Sequence, residues 1–269
     1  MKIRVVATSM VVGLAWVMVN YKPVQASTIT FEVDLDVPGY MPQDELEISD
    51  QFASTFGVTF GLDTDGDGFT DPGAFPILEQ TGTYPGDQAT FVTLVGSDIK
   101  TDTAKPGFEE QLGQFFLKSL DFRNNKALNL IINYSDPVAG ASGEIWDIDG
   151  SPLNPHLHDE WWKIEALGQD YASGLDANNV VDTIISPRGI PPANPNTLDG
   201  LPWLWSFDRD VADIHAIRIS SIGQAPAGFA FNNFSPFLPA TTDIPEPSFV
   251  LGLLTLGILG VNSRSKNQS

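Results

Sequence analysis

Apolar residues along this chain fall in short runs with an alternating pattern and never settle into a helical period. The runs are rich in Val, Ile, Phe, Trp and Thr, and clusters of Gly, Pro, Asn and Asp separate them. Alternation marks a strand with one face buried, and the intervening residue types are those that turn the backbone. The pattern predicts strands at Thr28–Asp34, Val58–Leu62, Thr90–Val95, Phe115–Phe122, Ala127–Tyr134, Gly143–Ile148, Glu160–Leu167, Val180–Ile185, Trp203–Phe207, Ile214–Ser220 and Gly228–Phe234. One helical turn is expected within Gly107–Gly113, and Pro187–Pro202 reads as a long loop. So many strands in one piece predict an all-β fold, a sandwich of two antiparallel sheets, which hides most strand edges.

Both ends of the chain break this pattern. Lys2 and Arg4 precede an apolar run, Val5 to Val19, and Val24-Gln25-Ala26 supplies small residues for cleavage. Together they predict a signal peptide over 1–26. At the other end Pro245-Glu246-Pro247-Ser248 leads into the uncharged run Phe249–Val261, then Arg264 and Lys266. The two prolines fix an extended segment around Glu246. The 13-residue run spans about 20 Å as a helix, against the roughly 20 residues a full crossing takes. It is short for a lasting anchor and suits transient membrane insertion, with the basic end as a cytoplasmic stop. This three-part tail resembles the PEP-CTERM sorting signal of exported bacterial proteins. The resemblance implies an exosortase-type enzyme as partner, a destination at the cell envelope, outer surface or extracellular matrix, and association with exopolysaccharide. The expected division is a signal peptide at 1–26, a β domain at 27–235, a linker at 236–244 and a sorting signal at 245–269. Helices are expected in the signal peptide and at 249–261.

Ile48-Ser49-Asp50-Gln51-Phe52-Ala53 with Gly57-Val58-Thr59-Phe60, and later Gly228-Phe229-Ala230-Phe231-Asn232-Asn233-Phe234, resemble the first and last strands of exported jelly-roll domains. Gly143 to Gly150 and Trp161 to Leu167 fit the same likeness to galactose-binding-like and carbohydrate-binding-module sandwiches. A jelly-roll β-sandwich is what that likeness implies.

The charge balance narrows the partners. The chain has 14 basic and 34 acidic residues. Without Lys2, Arg4, Lys22, Arg264 and Lys266 on one side and Glu246 on the other, the β domain keeps 9 and 33, a net of −24. A field of that sign repels nucleic acid and favours divalent cations. There is no cysteine, so the domain folds without disulfides and has no thiol chemistry.

The clearest chemical signal is Asp63-Thr64-Asp65-Gly66-Asp67-Gly68-Phe69-Thr70-Asp71. Carboxylates at positions 1, 3, 5 and 9 with Gly at 6 resemble an EF-hand-type calcium loop, with the Phe69 carbonyl in the position-7 role. Position 12, where a bidentate Glu belongs, is Ala74, so affinity in the range of extracellular modules is expected, about 10⁻⁴–10⁻³ M. The other reading is a solvated acidic hairpin turn. His156-Leu157-His158 matches only the opening of a cupin metal motif; the Glu and third His are missing, which favours a surface turn. Trp161, Trp203 and Trp205 are candidates for stacking on a sugar ring, Trp203 and Trp205 sharing a face by alternation; the competing reading puts them in the core.

No catalytic constellation stands out: there is no Gly-x-Ser-x-Gly elbow, and acid pairs such as Asp147/Asp149 carry no specificity among so many acids. The expectation is therefore a non-enzymatic, exported, calcium-binding protein that associates with extracellular polysaccharide or surface structure. An exported carbohydrate-active hydrolase and a purely structural calcium-stabilised surface protein are the alternatives.

Overall fold

The computed structural model describes residues 29–32, 37–82, 90–95, 98–118, 129–148, 160–189, 198–222 and 230–237. The expected signal peptide at 1–26, the expected sorting motif Pro245-Glu246-Pro247-Ser248, the segment 249–261 and both His156 and His158 lie outside the described residues. No helix among the described residues is long and apolar enough to cross a membrane.

In chain order the elements are α1 (Ala53–Phe56), β1 (Val58–Asp63), β2 (Ile77–Gln80), β3 (Val92–Val95), β4 (Asp98–Thr101), α2 (Glu109–Leu112), β5 (Phe115–Lys118) and β6 (Asn129–Val138). There follow β7 (Gly140–Trp146), β8 (Trp162–Leu167), α3 (Gln169–Ala172), β9 (Val180–Ile185), β10 (Pro202–Asp208), β11 (Ile214–Ser221) and β12 (Ala230–Phe237). One five-stranded sheet has the order β1-β6-β11-β8-β9, the other β10-β7-β12-β5-β2, and β3 pairs with β4 alone. Every pairing is antiparallel. The chain is all-β, built of two antiparallel sheets, as its alternation predicts.

The main core lies between the sheets. Phe60, Leu62, Ile132, Ile164 and Ile217 come from the first sheet, and Leu117, Ile145, Phe207 and Phe231 from the second. Phe60 meets Phe234 edge-on at 6.3 Å across the interface. Phe52, fully buried just before α1, packs its ring against Phe31, Tyr40 and Phe60. Such ring pairs add about 0.5–1.5 kcal/mol beyond the area they bury.

Both outer faces are covered as well. Tyr171 of α3 and Phe69 lie over Ile131, Leu167 and Ala216 of the first sheet. Leu112 of α2, with Phe91 and Ala104, covers Phe116, Trp146 and Ala230 of the second. Double coverage is why β1 and β11 are buried at nearly every position instead of alternately.

A buried charge cluster fastens the β3–β4 pair to β2. Asp102, 1% exposed and left-handed with φ 49°, accepts from the Thr90 N–H at 2.8 Å and the Phe91 N–H at 3.0 Å through Oδ1. Its buried Oδ2 has no donor. Glu79, 2% exposed, is held by Lys118 at 3.1 Å and accepts from the Thr90 hydroxyl. Burial, and next the charge of Glu79, push the Asp102 carboxyl up to about 7.

Several boundaries differ from expectation. Thr28–Asp34 contributes only an isolated bridge from Ile29 to Phe234 among its described residues. The strand expected from Glu160 starts at Trp162, because Glu160 bridges to Gly189 instead. β2 and β4 escaped the pattern, and the helical turns α1 and α3 are too short to display a period.

Candidate metal centre

β1 forms one edge of the first sheet and ends at the acidic loop. Val58, Phe60 and Leu62 point into the core, so Thr59, Gly61 and Asp63 face outward. Asp63 is fully buried. Its Oδ1 accepts from the Gly66 N–H at 2.7 Å, and its Oδ2 accepts from the Gly68 N–H at 3.0 Å and from Asn129 Nδ2 at 2.7 Å. Asn129 is its registered partner on β6. Three donors offset the cost of burying this carboxylate.

The rest of the loop winds around that fixed point. Asp65 Oδ1 accepts from the Asp67 N–H at 3.0 Å, and Asp67 Oδ1 from the Phe69 N–H at 2.8 Å. Asp71 Oδ2 accepts from the Thr64 N–H at 2.7 Å and its hydroxyl at 2.5 Å, closing the loop. Asp63, Asp65 and Asp71 thereby each bring a carboxylate oxygen within 4.8 Å of the others. Calcium–oxygen bonds of about 2.3–2.6 Å put opposite ligands about 5 Å apart, so the three oxygens fit around one calcium ion. Of the candidate ligands, Asp67 stays exposed and outside this set, and Phe69 turns its ring inward.

That ring ties the loop to the sheet. Phe69 stacks on Tyr171 at 5.3 Å with planes 17° apart, and the Tyr171 hydroxyl donates to Asn133 Oδ1 at 3.3 Å. Burial pushes the Tyr171 phenol up to about 12; Arg218 opposes this, and Asp63 and Asp67 add to it. Arg218, 6% exposed, donates from Nε to Glu165 at 2.9 Å and from Nη1 to the Ala177 carbonyl at 3.0 Å.

Gly68 sits where this platform and the loop touch. Its φ is 92°, and a Cβ there would lie 2.8 Å from both Ala177 Cβ and Arg218 Nη1. Gly68→Ala is expected to destabilise the domain by about 1–3 kcal/mol, from left-handed strain and overpacking together. Urea denaturation checks this, and a variant as stable as the parent would remove Gly68 from the loop's requirements.

The three candidate tryptophans are placed differently. Trp205 is 3% exposed, set between Phe207 at 5.9 Å and Phe231 at 6.5 Å, so no sugar ring reaches it. Its face of β10 is the inward one, while Leu204, Ser206 and Asp208 are exposed. Trp203 is half-buried against the core, and Trp161, half-buried, lies 5.8 Å from the Arg188 guanidinium. Asn129, Asn133, Tyr171 and Arg218 were not singled out from sequence. Sheet register brings Asn129, Asn133 and Arg218 to the loop from far along the chain, and α3 brings Tyr171 onto Phe69.

No family model and no curated protein matches this chain. Among solved structures, it is similar to the K2 cleaved adhesin domain of Lys-gingipain, with 11% identity, 79% of this chain and 99% of that one covered, and a TM-score of 0.37. The K3 adhesin domain of the same protein from Porphyromonas gingivalis gives 14% identity, 71% and 98% coverage, and a TM-score of 0.35. A family 32 carbohydrate-binding module from C. perfringens NanJ, solved with galactose, gives 18%, 54% and 88%, and 0.24. These are distant likenesses among β-rich domains and assign neither family nor function.

Proposed function

We propose that this chain is an exported, PEP-CTERM-sorted protein of the envelope or extracellular matrix. Its jelly-roll domain binds calcium through the loop at Asp63, Asp65 and Asp71 and acts as a non-catalytic binder of extracellular polysaccharide or surface structure. The observation that carries the proposal is the convergence of those three carboxylates on a loop braced from beneath by Phe69, Tyr171 and Arg218. The net charge of −20 raises the local concentration of divalent cations at the same surface. The calcium ion neutralises like charges that otherwise repel, so its binding stabilises the fold.

Calcium at a hundredfold excess over its Kd is expected to add about 2.7 kcal/mol to stability. For a domain of this size that raises Tm by about 5–10 °C. Asp65→Asn combined with Asp71→Asn is expected to remove the shift, and magnesium, which demands tighter octahedral geometry, to give a smaller one. A Tm that calcium raises equally in the double variant sinks the assignment.

A further inference from the structure

Beside the acidic loop the outer face of β1 opens into a groove of about 380 Å³. Thr59 on β1 and Asn133 on β6 stand opposite each other in register on one wall. Thr70, Asp71 and Phe75 of the returning loop also line the groove, as do Ser49 and Asp50. Gly61 lets the walls approach, since any Cβ there would meet Thr70 Cγ2 at 2.8 Å.

Four polar side chains of this groove, Thr59, Thr70, Asn133 and Asp50, keep hydrogen-bonding capacity among the described residues. Among the described residues the Thr59 and Thr70 hydroxyls make no hydrogen bond. Asn133 spends its Oδ1 on the Tyr171 hydroxyl, and its NH₂ has no partner among the described residues. Asp50 adds an exposed carboxylate that accepts only a long contact of 3.3 Å from Ser49. Half-buried Phe75 supplies an apolar patch.

We infer that this groove is a binding site for a neutral polyhydroxylated ring, a sugar unit. The inference names the contact surface for the polysaccharide reading and rests on it. The donor and acceptor mixture selects the class. The exposed Asp50 repels anions. An ammonium ligand would satisfy Asp50 but leave the Asn133 N–H bonds unmatched. A hydroxyl both donates and accepts, so vicinal hydroxyls match carboxylate, hydroxyl and amide together, while the C–H face of the ring lies on Phe75. The volume admits one or two such rings, being near the small end of ligand sites, about 300–1,000 Å³.

Saturation-transfer NMR on the mature exported chain tests this with methyl glycosides of galactose, glucose and mannose, and with tetralysine as the cationic probe. Retention on extracted extracellular polysaccharide, measured in parallel, reads the broader proposal. At least one neutral glycoside is expected to receive saturation. Thr59→Val with Thr70→Val, which keeps side-chain shape, is expected to weaken it about tenfold, as does the exposed Asp50→Asn with Thr59→Val. Loss in either pair with the fold intact supports the site. Unchanged glycoside affinity in both pairs, or transfer to tetralysine alone, overturns it, and continued polysaccharide retention then leaves the broader reading standing. Absence of both glycoside binding and retention overturns the two together.

Discussion

Truncating Trp205 to alanine is expected to cost the domain about 3–5 kcal/mol, a fall in Tm on the order of 10 °C, without touching ligand binding. The indole lies across Gly143, its registered partner on β7. A Cβ on Gly143 would fall 2.8 Å from Trp205 Cζ2 and 2.9 Å from a Phe231 ring carbon. Gly143 has no side chain to move into the space the indole leaves, so the cavity cannot collapse from beneath. The cost should therefore sit toward the top of the range for large aromatic truncations. Trp205→Phe is expected to be milder, because it keeps one aromatic ring in the slot and removes a buried indole N–H that has no acceptor. Urea titrations of both variants, with glycoside binding measured on the folded fraction, check the pair. Loss of binding with unchanged stability in the alanine variant would return Trp205 to the ligand surface.

The second large effect is a dependence of stability on pH. The Asp102 carboxyl is raised from 3.8 to about 7 by burial and by Glu79. The folded state therefore keeps a proton that the unfolded chain has released. Where the folded state binds more protons, stability falls as pH rises. The contribution is complete below about 4 and is lost as pH climbs through about 7, a span worth on the order of a few kcal/mol. The geometry points the same way, since a proton on the orphaned Oδ2 supplies the donor that the Glu79–Asp102 contact lacks. Asp102→Asn carries a permanent donor there and keeps an acceptor for Thr90 and Phe91. It is expected to flatten this part of the profile and to be the more stable protein near about pH 8. Denaturation midpoints taken at intervals from acid to neutral pH decide the matter, and parallel curves for parent and variant would count against a shared proton.

Alternation located the sandwich because its strands carry their own apolar runs. Val180–Ile185 appears with the bounds the sequence suggests, and the turn expected within Gly107–Gly113 forms as Glu109–Leu112. β2 was illegible because half of Ile77-Leu78-Glu79-Gln80 is polar, and its buried Glu79 depends on Lys118 of another strand. The acidic loop was legible because Asp63, Asp65 and Asp71 lie within nine consecutive residues. The groove was not, because Thr59 and Asn133 meet only through the register of β1 with β6. For Trp203 and Trp205, alternation says that two side chains share a face. It is silent on which face another sheet will cover, and here it is theirs.

The last strand holds a central place. β12 lies between β7 and β5, and the Ile29 and Phe234 backbones exchange hydrogen bonds at 2.6 and 3.1 Å. Both the first described residue and the final strand must be present before the second sheet can close. A nascent chain lacking residues 230–237 has a sheet with its middle missing, whatever else has been synthesised. Folding is thus postponed until nearly all of the domain is available, and its long-range pairings slow it further. For an exported chain, as proposed above, this order of assembly keeps the second sheet open while the chain is threaded through a channel.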